Sequence, residues 1–354
     1  MKIKVVQLAG NQDISVIIVN WNRRQLLARC LASLMRQREA NLEIIVVDNG
    51  SSDGSLEMVE SEFGRGQPFP VRLIANSYNR GFCAANNQGI ALARHPWVAL
   101  INNDAEADPD WAASLLEAAQ SRPDVGMVAS KILVYDEPGR IDKVGHLVYF
   151  DGQNRGRGSG EFDHGQYDQL EEVAWPDGCA AAYRKAMLEE IGGFDEDFFA
   201  YADDAELGLR ARLAGWRALY TPRAVVRHHR GATLGLRSFQ RLVLIERNRV
   251  LLAAKLFPWI LLFFNPLFYA ARLLAGAWAA ILGKGEIGRY PSWKDKLAAA
   301  AALLQGDLKA LPLLPRMLAK RRQLRSIRRI GTWQTLQLLW RYRISLRKLS
   351  QQAI

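Results

Sequence analysis

Two stretches of the sequence place a carboxylate immediately after an apolar run. Residues 97–101 read Trp-Val-Ala-Leu-Ile and lead into Asn102-Asn103-Asp104, while residues 44–47 read Ile-Ile-Val-Val and lead into Asp48. Apolar runs of this length predict buried strands. Open α/β sheets bind their ligands beyond the carboxyl ends of such strands. Acids and small polar residues there predict a site for a nucleotide and a divalent metal, as in enzymes that use nucleotide sugars.

The elements that would position these residues alternate between strand and helix over the first 122 residues. The pattern predicts strands, the third of them at a sheet edge, separated by helices, with strands at 14–19, 42–47, 71–74 and 97–101 and helices through 26–34, 56–63 and 82–93. Such alternation predicts a mostly parallel sheet flanked by helices. Residues 136–169 are rich in glycine and charge, and they predict a long surface excursion.

Basic residues are concentrated at the C-terminus. The 354 residues include 47 Lys and Arg against 36 Asp and Glu, and 12 of the bases follow residue 307, where no acid occurs. The remaining 35 bases and 36 acids nearly balance, so the net charge of +11 belongs to the tail. Residues 316–348 alternate bases with apolar side chains, which is typical of basic amphipathic helices on an anionic membrane surface. A solvated face of a helical extension is the alternative. Nucleic acid is not predicted as a partner, because no nucleic-acid motif accompanies the charge.

An apolar segment at 256–282 precedes this tail. Its first uncharged run, 256–271, has 16 residues and contains Pro258 and Pro266, whereas a spanning helix needs about 20. The segment therefore predicts a pair of interfacial or re-entrant helices, with buried helices of a soluble domain as the alternative. Residues 1–13 lack the apolar core of a signal peptide. Three widely spaced cysteines, an odd number, favour a reducing compartment. We expect a peripheral or monotopic protein on the cytoplasmic face of the inner or plasma membrane.

Several segments together resemble the inverting family 2 glycosyltransferases of the GT-A fold. In family order, they are residues 45–53 (Ile-Val-Val-Asp-Asn-Gly-Ser-Ser-Asp), 79–82 (Asn-Arg-Gly-Phe), 102–104 (Asn-Asn-Asp) and 192–196 (Gly-Gly-Phe-Asp-Glu). Residues 19–22 (Val-Asn-Trp-Asn) and 79–82 are most similar to rhamnosyltransferase-like bacterial members. The resemblance covers about residues 13–250. It implies an α/β fold of the GT-A type, with a mixed, mostly parallel sheet flanked by helices.

The resemblance implies a donor site at the ends of the first strands. The base of a nucleoside-diphosphate sugar would donate to the carboxylate of Asp48. Taken alone, Asp48 could equally close a turn with its own backbone. The donor-binding residues implied by the resemblance are Asn20, Asn22, Asp48, Asn79, Gly81, Asn102 and Asn103.

Asp104 matches the last position of the family's Asp-X-Asp-type metal motif, in which Asn102 replaces the first acid. A diphosphate leaving group gains negative charge as the glycosidic bond breaks, and Mg²⁺ or Mn²⁺ neutralises that charge. Residues 225–233 resemble the family's histidine segment, and His228 is the expected second contact to the metal or the diphosphate. A surface pair formed by His228 and His229 is the alternative.

Residues 202–210 resemble the family's Glu-Asp-X-Asp-Leu-X-X-Arg segment, in which Asp204 aligns with the general base. Inversion requires a single displacement, so one carboxylate must deprotonate the acceptor hydroxyl. Repulsion between Asp203 and Asp204 is expected to raise one of their pKa values. Ordinary enrichment of acids at a helix N-terminus is the alternative. The acceptor side is expected to include Trp175, Asp177, Gly178 and Asp203, with core packing as the alternative for Trp175.

These features predict a catalytic domain over residues 1–235, with a nucleotide-sugar half at about 13–122 and an acceptor half at about 123–235. Residues 236–354 would form a helical extension. The predicted activity transfers a sugar from dTDP-rhamnose or a UDP-sugar to a glycan or lipid-linked acceptor. Two alternatives stay open. The first is a sugar nucleotidyltransferase, which would be expected to carry a glycine-rich basic loop at the position of residues 19–22. The second is an inactive membrane-bound scaffold that has kept the transferase fold.

Overall fold

A computed structural model describes residues 12–230 and 238–352, and the twelve strands of these residues form one large sheet and a small hairpin. The strands are β1 Asp13–Asn20, β2 Asn41–Asp48, β3 Val71–Ala75, β4 Trp97–Ile101, β5 Ala105–Ala107, β6 Val125–Val134, β7 Ile141–Lys143, β8 His146–Val148, β9 Asn154–Gly156, β10 Glu171–Val173, β11 Ala180–Arg184 and β12 Arg217–His228.

Helices flank the sheet and make up most of the chain after residue 238. They are α1 Arg24–Leu34, α2 Ser55–Phe63, α3 Phe82–Leu92, α4 Trp111–Gln120, α5 Lys185–Ile191, α6 Asp203–Leu213, α7 Phe239–Leu256, α8 Trp259–Ile281, α9 Gly285–Gly288, α10 Trp293–Ala310, α11 Leu314–Gln323, α12 Thr332–Arg341 and α13 Leu346–Gln351. Short 3₁₀ turns lie at Glu196–Phe198 and Leu311–Leu313.

The strand order is β10-β12-β6-β11-β4-β1-β2-β3, with β5 and β7 pairing at the side. β4, β1, β2 and β3 run parallel, whereas β11 is antiparallel to both β4 and β6. The predicted α/β class, with a mixed sheet, flanking helices and a helical C-terminal extension, is confirmed. β3 is the edge strand, as predicted. In the parallel half Asn20 pairs with Asp48 in register, so the strand ends that carry polar residues meet at one edge.

Two hydrophobic clusters cover the two faces of the sheet. Ile14, Val16 and Ile18 pack with residues of α1, α2 and α4, whereas the intervening Ile17 packs with residues of α3, α5 and α6. Successive side chains of a strand point to opposite faces, and helices cover both faces here. This double coverage explains why the central strands carry apolar residues on both faces.

The predicted surface excursion over residues 136–169 is wrong for residues 141–158, whereas residues 136–140 and 159–169 lie mostly at the surface. The segment contains β7, β8 and β9, and Ile141, Val144 and Val148 are almost fully buried. Val148 also exchanges backbone hydrogen bonds with Tyr342 and Ile344 of the C-terminal region. Three-residue strands separated by glycines are too short to produce a periodic signal. Their burial depends on helices that lie much later in the chain.

The prediction of two helices within residues 256–282 is also wrong, because residues 259–281 form one continuous helix, α8. Pro258 is the N-cap residue of α8, where the missing N–H leaves no helical bond unmade. Pro266 lies inside the helix and removes a single hydrogen bond. By length and composition, Trp259–Gly288 and Trp293–Gln323 are long and apolar enough to cross a membrane.

One face of α8 is apolar and exposed. Its exposed large side chains include Trp259, Phe263, Leu267, Leu274 and Trp278. The opposite face packs on the protein along the whole helix: Asn265 donates to the carbonyl of Phe150, Tyr269 bonds Asp307, and Arg272 pairs with Asp151 and Glu246. The alternative of a buried helix in a soluble domain does not fit this exposure.

The basic tail packs on the catalytic part of the chain. Met317 and Leu339 are buried in the same cluster as the strands of the sheet. Lys320 lies 2.7 Å from Asp197, and Arg329 lies 2.7 Å from Glu190. The proposed boundary between residues 235 and 236 and the N-terminal residues 1–11 lie outside the described residues.

Candidate active site

An open cleft at the carboxyl edge of the parallel strands has an empty volume of about 1900 Å³. It brings together polar residues from distant parts of the chain. The predicted site residues that line it are Asn79, Gly81, Asn102, Asn103, Asp104, Asp177, Gly178, Asp203, Asp204 and His228. Asn20, Asn22, Asp48 and Trp175 do not line it.

Asp48 lies behind the cleft wall and is 1% exposed. One carboxylate oxygen accepts from Asn20 Nδ2 at 2.9 Å, and the other accepts from the backbone N–H of Ser51 at 2.8 Å. Asn103 Nδ2 donates to Asn20 Oδ1 at 2.7 Å, which joins this turn to the end of β4. Asp48 thus closes a turn in the structure. Its contact with a nucleotide base stays a prediction.

The turns beside Asp48 are fixed by side-chain amides. Asn22 has a φ of 51°, and its Oδ1 accepts from the N–H of Ser52 at 2.8 Å. Asn79 Oδ1 accepts from the N–H of Gly81 at 2.9 Å. Gly81 has a φ of +87°, and a Cβ there would lie 2.5 Å from the Phe199 ring. A side chain at position 81 would therefore disturb this wall of the cleft.

Asp104 and His228 meet because β12 pairs with β5, where His228 stands opposite Ala105. The distance from His228 Nε2 to Asp104 Oδ1 is 3.3 Å, and His228 Nδ1 lies 2.8 Å from Asp142 Oδ2. Burial opposes the imidazolium charge, but Cys179, Asp104 and Asp142 together raise the pKa of His228 well above its usual value.

These residues suit a hard divalent cation. Asp104 Oδ1 is buried and has no aligned hydrogen-bond partner among the described residues. Asp142 holds the Nδ1 side of His228, which leaves Nε2 facing Asp104; metal-binding histidines are commonly oriented by a carboxylate in this way. A neutral His228 and the Asp104 carboxylate would supply two ligands. The rest of the shell would be open to water and phosphate oxygens.

A second polar cluster contains Asp204, Asp177 and His146. Asp204 stands in the first turn of α6, and its Oδ2 accepts from the N–H of Gly178 at 3.2 Å. His146 Nε2 lies 3.2 Å from Asp204 Oδ2 and 2.8 Å from Asp177 Oδ2. Lys143 Nζ lies 2.6 Å from the same Asp177 oxygen.

The three side chains of His146, Asp177 and Asp204 are close enough together to hold a metal ion. However, two positive charges, one on His146 itself and one on Lys143, already balance the two carboxylates. Burial lowers the pKa of His146, but Asp204 and Asp177 outweigh this and raise it to about 9. Lys143 pairs with Asp177 as a second cation. We therefore interpret the cluster as an ion-pair network that orients Asp204.

His146, Lys143 and Asp142 were missed by the sequence reasoning, because all three lie in the segment interpreted as a surface excursion. A signal was present in residues 141–146, which read Ile-Asp-Lys-Val-Gly-His. Three ionisable residues stand there among apolar positions, and Ile141 and Val144 are fully buried. Ionisable groups between buried positions are candidates for a functional site.

Asp203 and Trp175 of the predicted acceptor side are buried, as is Glu206, which stands in the same segment as Asp204. Asp203 is 5% exposed, and burial followed by the charge of Asp204 raises its pKa well above the usual value. Trp175 is 1% exposed and packs closely against Gly208. Glu206 is fully buried and pairs with Arg210 and Lys255, so it stabilises the fold.

Comparison with known proteins identifies the relatives of this chain. Residues 15–192 match the family model of glycosyl transferase family 2. The chain is 30% identical over 241 residues to the N-acetylglucosaminyl-diphospho-decaprenol L-rhamnosyltransferase of Mycobacterium tuberculosis, covering 62% of this chain and 77% of that protein. It is 29% identical over 237 residues to the O-antigen biosynthesis protein RfbC of Myxococcus xanthus, covering 63% and 18%.

A solved structure supports the fold independently. The crystal structure of GalNAc-T7 with UDP, GalNAc and Mn²⁺ aligns with a TM-score of 0.52 at 15% identity, covering 69% of this chain and 50% of that one. An identity this low shows the fold alone, which is the predicted GT-A type.

Proposed function

The chain belongs to glycosyl transferase family 2. We propose that it transfers a sugar with inversion onto a lipid-linked or cell-surface glycan acceptor. The observation that carries the proposal is the shared cleft. Asp204 lines the same open space as Asp104 and His228. A base and a cation-binding corner on one cleft are what a single displacement at a diphosphate-activated sugar requires. The family match gives no support to the alternative activity, that of a sugar nucleotidyltransferase.

The donor in this proposal is a nucleoside-diphosphate sugar. We propose rhamnose from dTDP-rhamnose, because the mycobacterial relative is named an L-rhamnosyltransferase. Asp104 and His228 would hold Mg²⁺ or Mn²⁺, which stabilises the charge of the diphosphate as it leaves. Asp104 Oδ1 is buried, has no aligned hydrogen-bond partner among the described residues and faces His228 Nε2, which supports this assignment. Asn79, Asn102 and Asn103 supply amides to the same cleft.

Asp204 is the proposed general base. The acceptor hydroxyl loses its proton to Asp204 as its oxygen bonds to the anomeric carbon, and the bond from that carbon to the diphosphate breaks. His146 and the Gly178 N–H each lie 3.2 Å from Asp204 Oδ2. These contacts fix the carboxylate in one orientation before substrate arrives. Such pre-organisation lowers the reorganisation needed in the transition state.

A membrane surface is the proposed partner of the helical extension. The apolar face of α8 points outward, while the opposite face packs on the protein along the whole helix. This arrangement supports a helix that lies in the plane of the interface rather than one surrounded by lipid. The bilayer would be anionic, because the tail that follows is basic. We propose that the cleft lies on the cytoplasmic face, because three free cysteines favour a reducing compartment.

A donor screen tests the proposal. The full chain would be heated with dTDP-rhamnose or UDP-sugars, each with and without Mn²⁺ or Mg²⁺. A donor at 100 times its Kd stabilises the folded state by about 2.7 kcal/mol. The best donor would then be incubated with lipid-linked acceptors, and NMR would read the anomeric configuration of the product. Retention of configuration would contradict inversion, and absence of both binding and transfer would favour the inactive scaffold.

A further inference from the structure

Four arginines of the described residues line the cleft, and within this part of the chain one of them lacks a carboxylate partner. Arg230 lies 3.2 Å from Asp142 Oδ1, Arg241 lies 2.8 Å from Glu286, and Arg249 lies 2.7 Å from Asp307. Among the described residues no carboxylate forms an ion pair with Arg155. This unpaired guanidinium needs an explanation, because the fold supplies partners to its neighbours.

Arg155 is well buried, with 8% of its surface exposed. Its Nη1 donates to the carbonyl of Asn154 at 2.9 Å, while its Nε has no partner in the described part of the chain. Burial lowers the pKa of Arg155 to about 10, so the group is still a cation at neutral pH. Glu286 and Asp151 favour this charge at longer range, but among the described residues neither forms an ion pair with it. A buried charge without a close partner is destabilising. A fold that keeps such a charge at the wall of a cleft is suited to an anionic ligand.

The charged groups around Arg155 show which side of the cleft it occupies. The charged groups that act on it are Glu286, Arg272, Arg241 and Asp151, which belong to α7, α8 and the segments beside them. Arg272 is itself on α8 and pairs with Asp151. Arg155 therefore lies at the end of the cleft nearest the helix whose outer face is apolar.

The β8–β9 hairpin connects Arg155 to the proposed base. His146, which contacts Asp204, pairs with Gly156, and Arg155 is the neighbouring residue. Adjacent residues in a strand are about 3.3 Å apart along its axis, and their side chains point to opposite faces. Arg155 pairs with Leu147, so its side chain stands on the face of the hairpin opposite to His146. Gln153, also buried and lining the cleft, has an Oε1 without a partner among the described residues. Arg155 and Gln153 thus add two unpartnered polar atoms to the cleft wall.

We propose that Arg155 binds the phosphate group of an amphiphilic acceptor, whose apolar chain leaves the cleft over the exposed face of α8. This inference rests on the proposed function, since it names the acceptor side of the same site. The sugar of the acceptor would lie between Arg155 and Asp204. A guanidinium and a phosphate form charge-assisted, frequently bidentate hydrogen bonds, which would compensate the buried charge.

The test measures binding of n-decyl diphosphate to the full chain in neutral detergent, by isothermal titration calorimetry. The variants are Arg155→Gln and Arg155→Lys, with Arg65→Gln as a matched control, because Arg65 is exposed and does not line the cleft. We expect Arg155→Gln to weaken binding at least tenfold, Arg155→Lys to recover part of it, and Arg65→Gln to leave it unchanged. Inorganic pyrophosphate should bind at least tenfold more weakly than decyl diphosphate at this subsite.

Donor binding shows whether Arg155 binds the diphosphate of the nucleotide sugar or the phosphate of the acceptor. Stabilisation by the nucleotide sugar and Mn²⁺ should be equal in wild type and Arg155→Gln. If the variant loses donor and decyl diphosphate together, Arg155 serves the donor and the inference is overturned. Unchanged decyl diphosphate binding overturns it as well, as does pyrophosphate binding that equals it. If no nucleotide sugar binds wild type, the proposed function fails, while the decyl diphosphate series still tests Arg155.

Thermal unfolding separates a binding role from a structural one. Arg249→Gln breaks paired contacts to Glu246 and Asp307, so its melting temperature should fall. Arg155→Gln removes an unpaired charge, so its melting temperature should stay equal to wild type or rise. A fall as large as that of Arg249→Gln would assign Arg155 to the fold and overturn the inference.

Discussion

The Nε2 atom of His146 lies 3.2 Å from the Oδ2 atom of Asp204. The two residues come from different parts of the chain, β8 and the start of α6, and both are positioned by the cleft wall. His146 also lies 2.8 Å from Asp177, so one imidazolium joins two carboxylates. The orientation of the proposed base therefore depends on a residue outside the motif that contains it.

We expect Asp204→Asn to abolish sugar transfer while donor binding stays near the wild-type value. The amide keeps the size of the side chain but cannot take the proton of the acceptor hydroxyl, and removing a general base costs about 10²–10⁴-fold in rate. Transfer would be followed by mass spectrometry, and donor binding by thermal shift. Asp136→Asn, an exposed acid outside the cleft, is the control. Normal turnover of Asp204→Asn would show that Asp204 is not the general base.

The charge of His146 should make stability depend on pH. Its pKa rises from an ordinary 6.5 to about 9 in the folded chain, so its contribution is complete below pH 6.5 and is lost as the pH rises through 9. The contribution is on the order of 3 kcal/mol. Urea unfolding should show the difference between wild type and His146→Gln shrinking from pH 6.5 to 9.5. A difference that does not change with pH would mean that His146 is neutral.

Substitution of the cation-binding corner should remove the metal dependence of donor binding. In Asp104→Ala and His228→Ala, donor binding should become equal with and without Mn²⁺, because the two ligands offered by the chain are reduced to one. Calorimetric titration of Mn²⁺ alone checks the same point without turnover. The exposed His164→Ala is the control. Metal dependence that survives both changes would place the cation elsewhere.

The outward face of α8 should determine vesicle binding. Phe263, Leu267 and Leu274 are 78%, 66% and 74% exposed, so changing all three to Ser removes apolar contact area without opening the core. We expect loss of co-sedimentation with anionic vesicles and unchanged donor binding. Leu170→Ser, exposed but remote from α8, is the control. Point changes are preferable to deleting residues 316–354, because Met317 and Leu339 belong to the buried core.

Glu206 should act on stability. It is fully buried between Arg210, at 2.8 Å, and Lys255, at 2.7 Å. Glu206→Ala leaves two buried cations without this partner, so we expect a loss of about 3–5 kcal/mol in the free energy of unfolding. The exposed pair of Glu117 and Arg223 provides the comparison, since Glu117→Ala should cost less than about 1 kcal/mol. Equal losses in urea unfolding would contradict a structural role for Glu206.

Local signals predicted most of the catalytic part of the fold. The strand at 97–101 has the predicted bounds, and the early strands and helices differ from prediction by a few residues at their ends. Apolar runs and helical spacing are contained in short windows, so sequence alone reveals them. Asp104, Asp204 and His228 were predicted from the family resemblance, because each stands in a motif with family spacing, and all three line one cleft.

The sequence did not predict the segments whose structure depends on contacts with residues far away in the chain. β7, β8 and β9 are too short to show a strand period, and Val148 of β8 is buried against Tyr342 and Ile344 near the C-terminus. The only local signal was the group of ionisable residues among apolar ones at 141–146. The segment that contains α8 predicted two helices, because Pro258 and Pro266 commonly interrupt a helix. The protein accommodates one as a cap and the other inside the helix.

The sequence by itself determined the α/β class, the family motifs and the chemical types of residue at the ends of the strands. Only the tertiary structure decided which of those residues share one cleft. Asp104 and His228 meet through strand pairing, while His146 and Asp204 meet through packing of a hairpin against a helix. Residue types and spacing are properties of the chain itself. Proximity between distant residues follows from burial of the whole core, which no short window of sequence contains.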